Sequence, residues 1–194
     1  MKHVRLFLVI VIAELLIAVL ATHNYGFTME GLQATTRFSG RFSLALFSVI
    51  FILLPRNRKQ LHFLLTEKAL LAFAVAHGIH LLELLSYVYL SNATLIPVRL
   101  AGGFLAYVLI FILPGLQHYY EAGKVNEKKY LLAENIYLYY VWFIFFMSYL
   151  PRVQGKLPNV GGSYWEFVGL LTWVCILLGM KLSTLLSTKF IRKN

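Results

Sequence analysis

Six long apolar runs alternate with short polar segments along this chain of 194 residues. A transmembrane helix needs about 20 mostly apolar residues to cross a hydrocarbon core of roughly 30 Å, and each run is close to that length. The runs cover residues 4–21, 38–55, 67–90, 96–115, 130–150 and 165–182. The pattern therefore predicts an all-α fold: a polytopic membrane protein whose six transmembrane helices form one bundle, a single domain over residues 1–194.

Prolines mark the ends of several runs. Pro55 begins a basic stretch after the second run, Pro114 ends the fourth and Pro151 ends the fifth.

The first run also fits the apolar region of a secretory signal peptide, so a cleaved signal is the alternative to a first span. Glu14 lies inside this run and favours the span, because the apolar region of a signal peptide rarely carries an acid.

Composition places the chain outside the soluble class, since hydrophobic residues make up 59% and charged residues only 13%. A net charge of +10 would suggest nucleic acid in a soluble protein, but in a membrane protein basic residues collect in cytoplasmic loops. We therefore expect a lipid bilayer and no nucleic acid around the chain. Cys175 is the only cysteine, which excludes an intramolecular disulfide and a cysteine-ligated metal cluster.

The distribution of Lys and Arg predicts the orientation. Thirteen of the 18 basic residues lie in the N-terminal segment, in or beside the loops after the second and fourth runs, and in the tail. The opposite side holds Arg37, Arg41, Arg99, Arg152 and Lys156. Because positively charged loops stay in the cytoplasm, both termini are predicted to be cytoplasmic.

Five acidic or histidine side chains lie more than three residues from either end of an apolar run: Glu14, His77, His80, Glu83 and Glu134. Each costs at least about 2.5 kcal/mol in a bilayer, so such groups usually face the bundle interior and often mark function. An imidazole there can ligate haem iron, coordinate a metal ion, relay protons or simply hydrogen-bond to a neighbouring helix. His77, His80 and Glu83 span an arc of about 120° on one helix, too wide for a single metal ion. A two-residue metal site with Glu14 or Glu134 is the remaining metal option.

Residues 36–44 (Thr-Arg-Phe-Ser-Gly-Arg-Phe-Ser-Leu), Pro55, residues 67–73 and residues 79–81 (Ile-His-Leu) carry a resemblance to a known family. Together they are similar to the ferric reductase-like transmembrane domain, and within it to the haem-binding membrane subunit of the periplasmic methionine sulfoxide reductase system. The resemblance implies six helices with cytoplasmic ends in a bacterial inner membrane. It also implies an oxidoreductase subunit in which haem b passes electrons across the membrane, with His80 as the ligand of the haem iron.

The same resemblance implies partners. A haem subunit without its own flavin or nicotinamide domain needs a separate electron donor, a quinone or a flavoprotein, and a protein partner in a membrane complex. Arg37, Arg41 and Arg99 would lie at the level of an outer haem, where guanidinium groups pair with propionates. They would equally reach lipid headgroups without any cofactor.

The fifth run departs from the family, which carries one histidine, followed by Asn, at the inner end of this span and another near its outer end. Glu134 and Met147 take these two positions here. A haem held by two histidines between the third and fifth helices needs an imidazole from each, so an inner haem lacks support. At the outer site Met147 would be the second ligand, or the iron would be five-coordinate, or His77 or His118 would compensate.

Two further functions compete with haem electron transfer. One is a haem-free structural or assembly subunit of a larger membrane complex, which the missing histidines favour. The other is transport or proton relay through Glu14, His77, Glu83 and Glu134, which the intramembrane polar groups favour.

Overall fold

The computed structural model describes residues 2–54, 63–92, 97–157 and 161–191, with the backbone alone at residues 2–3, 63–67, 98–100 and 185–191. Every regular element in these ranges is an α-helix. The helices are α1 (Lys2–Tyr25), α2 (Met29–Leu53), α3 (Phe63–Leu90), α4 (Pro97–Glu121), α5 (Glu127–Val153) and α6 (Tyr164–Ile191). All six are long and apolar enough to cross a membrane. The predicted six-helix, all-α architecture is confirmed, and the cytoplasmic position of the termini stays a prediction.

The second helix begins earlier than its apolar run. α2 begins at Met29 because Thr28 caps it, accepting a hydrogen bond from the backbone N–H of Gly31 at 3.2 Å. Polar residues then continue the helix, since the hydroxyls of Thr35 and Thr36 donate to carbonyls one turn back. Internal hydrogen bonds of this kind allow polar residues to occupy a buried helix.

Pro114 and Pro151 lie inside helices rather than at their ends. The prediction that Pro114 stops the fourth span is wrong, because α4 continues to Glu121. A proline removes one backbone hydrogen bond, and neighbouring helices in a membrane bundle make that loss tolerable. Pro151 falls in the last turn of α5, so the fifth span does end close to it. Pro55 lies outside the described residues.

α2 and α3 form a closely packed antiparallel pair with a constant register. Nε2 of Gln33 donates to the Tyr87 hydroxyl at 2.8 Å, Gly40 faces His80, and Phe47 contacts Phe73 with ring centroids 5.5 Å apart. Each of these contacts lies seven residues from the next on both helices, the spacing expected for two helices packed along one seam.

Aromatic rings fill one part of the interior. Phe47 contacts Phe51 and Phe73 with ring centroids 5.5 Å apart and Phe145 at 5.3 Å. The side chains of Phe47, Phe51 and Phe73 are fully buried. We call Phe47, Phe51, Phe73 and Phe145 the aromatic layer. It joins α2, α3 and α5 over about one helical turn.

Two tryptophans attach α6 to the rest of the bundle. Trp142 of α5 donates from Nε1 to the carbonyl of Val174 at 2.9 Å. Trp173 of α6 donates from Nε1 to the hydroxyl of Ser48, on α2, at 3.0 Å. These bonds fix α6 beside both α2 and α5.

A buried lysine connects α6 to the end of α2. Lys181 is 4% exposed, and its Nζ donates to the carbonyls of Phe51 and Leu54 at the end of α2. Carbonyls at a helix C-terminus lack intrahelical donors, and an ammonium group satisfies them. Glu134 of α5 lies within electrostatic reach of Lys181 and accepts a hydrogen bond from Tyr130 at 3.0 Å. Glu134 and Lys181 thus belong to one buried ionic network.

Candidate intramembrane polar site

His77 of α3 lies inside the bundle, against aromatic rings from three helices. Its ring stacks on Phe73 and Tyr107, with centroids 5.2 and 4.8 Å away, and Phe145 meets it edge-on at 5.8 Å. The side chain is 8% exposed, and no described group hydrogen-bonds to its Nδ1. A buried imidazole nitrogen without a partner loses the hydrogen bond that water would give it, which marks His77 as a candidate functional residue.

His80 lies one turn further along α3 and packs against α2. A Cβ placed on Gly40 would lie only 3.0 Å from His80 Cε1, so the glycine allows this close approach without displacing the imidazole. Its Nδ1 is buried and meets no hydrogen-bonding group in the described part of the chain. An imidazole nitrogen can accept a proton or donate one, so this atom is available for either role.

Two glutamates from different helices approach each other beside the histidines. Glu14 of α1 is 2% exposed, and no described residue hydrogen-bonds to either of its carboxyl oxygens. Glu83 of α3 interacts with Glu14 electrostatically. Ser39 of α2 is fully buried next to both carboxyl groups, yet its hydroxyl reaches hydrogen-bond geometry with neither. Three helices therefore bring two acids and one hydroxyl into a single low-dielectric space.

Polar side chains of α2 and α3 lie along the seam where these two helices pack, and Glu14 approaches them from α1. We call this set the polar track; its members are Glu14, Gln33, Ser39, Ser43, His77, His80, Glu83 and Tyr87. It extends along α2 from Gln33, which hydrogen-bonds to Tyr87, to Ser43 near the middle of the helix, a distance of about 15 Å along the axis. The aromatic layer begins one turn beyond Ser43. The polar track thus occupies roughly half of the α2–α3 interface and reaches only one end of it.

Arginines gather at the end of the bundle where the polar track begins. Nη2 of Arg41 forms an ion pair with Oε2 of Glu166 at 2.9 Å. Nη1 of Arg37 lies against the loop before α6. Arg152 of α5 lies over the ring of Phe167, 5.7 Å from its centroid. The side chain of Arg99, the third arginine predicted to lie at this level, falls outside the described residues.

No protein-family model, curated protein or solved structure matches this chain. The resemblance to the ferric reductase-like domain therefore rests on the quoted motifs, and function has to be argued from the site.

Met147, the predicted second haem ligand, lies on the outer side of α5. It is 42% exposed and stands two residues after Phe145, which contacts His77. Two residues along a helix correspond to a rotation of about 200°, so Met147 points away from the histidines. Its role as the second haem ligand stays a prediction, and this orientation does not favour it. His118 is also exposed, in the last turn of α4.

The described residues do not fit a haem held between two histidines. His77 and His80 lie on the same helix with ring centroids 5.3 Å apart, so they cannot bind from opposite faces of one haem. The rings that face His77 from α4 and α5 belong to Tyr107 and Phe145 rather than to a second imidazole. Among the described residues no group of three His, Cys, Asp or Glu side chains is placed to hold a metal ion.

Sequence reasoning missed Ser39 and Ser43, which are fully buried. A signal for them existed: Thr35, Ser39 and Ser43 recur every four residues along α2 and so lie on one helix face. Small polar residues of this kind are inexpensive in a membrane helix, and only the contact with Glu14 shows that this face borders a site.

Proposed function

We propose that this integral membrane protein binds and transfers a proton within the bilayer, with Glu14 and Glu83 as the proton carriers. The observation that supports this is the approach of two carboxyl groups, from α1 and α3, to one buried serine hydroxyl. Two carboxyl groups that share a site in low dielectric do not both carry a charge without a large cost, so together they hold one proton. Ionisable residues that face a bundle interior are characteristic of proton relays.

The polar track supplies the path for this proton. The hydroxyl of Ser39 stands beside both carboxyl groups and can donate to one while accepting from the other. His80 Nδ1 is the next acceptor. The aromatic layer offers no proton acceptor, so exchange occurs through the end of the track that carries Gln33 and Tyr87. With cytoplasmic termini this end faces the outside of a bacterial inner membrane.

The proposal is tested by infrared difference spectroscopy of the reconstituted protein during a pH titration. We expect a carbonyl band of a protonated carboxyl group that titrates in the wild type and is lost in Glu14→Gln and in Glu83→Gln. Glu127→Gln, which changes an exposed glutamate in the first turn of α5, is the matched control and should keep the band. Indistinguishable spectra for the wild type and both track variants would contradict proton binding.

Proton transfer along the track is tested separately by a rapid jump of the external pH, with the same carboxyl band of the reconstituted protein followed in time. A positioned acid or base contributes about 100-fold or more to proton transfer, so His80→Gln should slow the response of the band by that order. Glu127→Gln should respond as fast as the wild type. A His80→Gln protein that responds as fast as the wild type would remove the transfer path and leave proton binding alone.

The second candidate is the haem electron transfer that the resemblance implies. Two features of His80 favour it. Its Nδ1 has no hydrogen-bond partner in the described part of the structure, and its ring packs on Gly40, within the segment of residues 36–44 that carries the resemblance. When bound, a haem would supply one-electron chemistry, and His80 would be its ligand. The purified protein should then show a Soret band that shifts on dithionite reduction and disappears in His80→Ala. A colourless preparation from which no haem can be extracted would exclude this function.

A further inference from the structure

Three arginines and one glutamate meet around Phe167 at the end of the bundle where the polar track begins. A Cβ on Gly162 would lie 2.9 Å from Arg37 Nη1, 3.0 Å from Glu166 Oε2 and 3.3 Å from Phe167 Cζ. Arg41 is paired with the same Glu166 oxygen, and Arg152 lies over Phe167 from the side of α5. We call Arg37, Arg41 and Arg152 the arginine cluster. With Glu166 as the one acid in this contact set, the group carries a net charge of +2.

Arg37 is the member whose charge is least satisfied. Its Nε and Nη1 are both buried from solvent, and neither hydrogen-bonds to any group in the described ranges. The loop before α6 leaves room for it through two consecutive glycines, Gly161 and Gly162, with φ of 57° and 84°. A side chain on either glycine would collide with Arg37 Nη1 and would strain the backbone as well. The loop is therefore shaped around a guanidinium group that has unused donors.

We propose that the arginine cluster binds a phosphate-bearing anion. Guanidinium groups match phosphate oxygens with paired N–H donors, and such charge-assisted bonds are among the strongest in proteins. A single carboxylate would leave a net positive charge, whereas a phosphate group with up to two charges neutralises the cluster. The phosphate comes either from a lipid headgroup or from a soluble phosphate compound, and both sources use the same donors. This site is independent of the proposed proton carriers, because it uses none of their side chains.

The test is thermal unfolding of the purified full-length protein in neutral detergent with sodium phosphate or with sodium chloride at equal ionic strength. A ligand at about ten times its Kd should raise the Tm of a protein of this size by about 3 to 6 °C. Equal ionic strength is needed because salt screens exposed charges in a non-specific way. A rise with phosphate over chloride supports a soluble phosphate ligand.

The second arm compares nanodiscs of phosphatidylglycerol with nanodiscs of phosphatidic acid and of phosphatidylcholine, without added phosphate. A higher Tm in either anionic lipid than in phosphatidylcholine, present in the wild type and lost in Arg37→Gln, supports a lipid headgroup as the ligand. Arg5→Gln is the matched control, since Arg5 is exposed near the opposite end of the bundle and should keep the shift. Arg37→Lys keeps the positive charge but lacks the paired N–H donors, so it should retain only part of the Tm shift.

Two results would overturn the proposal. One is a wild-type Tm that responds neither to phosphate nor to anionic lipid, which needs no variant to interpret. The other is an Arg37→Gln protein that folds and responds as strongly as the wild type.

Discussion

Phe47→Ala is expected to lower the free energy of unfolding by about 3 to 5 kcal/mol, the range found when a large aromatic side chain is removed from a packed interior. Phe47 is fully buried and contacts Phe51, Phe73 and Phe145 within the aromatic layer. Its loss leaves a cavity between α2, α3 and α5 that straight helices cannot close. The measurement is unfolding in mixed micelles with increasing denaturing detergent, followed by circular dichroism.

Phe104→Ala is the control for this experiment. Phe104 is 68% exposed on α4, so the same atoms are removed where lipid replaces them, and the expected change is about 0.5 kcal/mol or less. If the two variants lose equal stability, the aromatic layer is not the packed centre described above.

Lys181→Met is expected to be the second large effect, with a loss of about 3 to 5 kcal/mol, because removing one partner of a buried ionic network leaves the others without compensation. The carbonyls of Phe51 and Leu54 lose their donor, and Glu134 loses its nearby positive charge. Methionine has a similar length, so the change isolates the charge from the packing. The same detergent titration measures it.

A double variant separates the charge interaction from the loss of the donor. Adding Glu134→Gln to Lys181→Met should recover about 0.5 to 3 kcal/mol, the usual range of coupling between neighbouring residues. Lys156→Met, which changes an exposed lysine in the loop after α5, should leave stability unchanged. A Lys181→Met protein as stable as the wild type would show that this network contributes nothing.

The candidate site was only partly predictable from the sequence. His77, His80, Glu14 and Glu83 could be singled out because an ionisable group inside an apolar run is expensive wherever the helix packs. Their mutual contacts could not be predicted, since Glu14 and Glu83 are far apart in the chain and the rotation of each helix is set by its neighbours.

Arg152 and Met147 illustrate the same difficulty in opposite directions. Arg152 serves in the sequence only as a charge that indicates orientation, yet in the fold it lies over the ring of Phe167, which borders the same loop as Arg37. Met147 is a predicted haem ligand from the sequence, yet the rotation of α5 turns it outward, 42% exposed. Position along a helix is fixed by sequence, whereas the direction of a side chain depends on which face the bundle covers.

The six helices themselves were determined by the sequence. Length and apolarity are local properties of a segment, and they alone decide whether it can cross a bilayer as a helix. Their packing was decided only by the tertiary structure. Helices that are apolar on nearly every face give little indication of which face is buried, since lipid and protein neighbours are equally apolar. The polar track, the ionic network of Lys181 and the arginine cluster all depend on that packing.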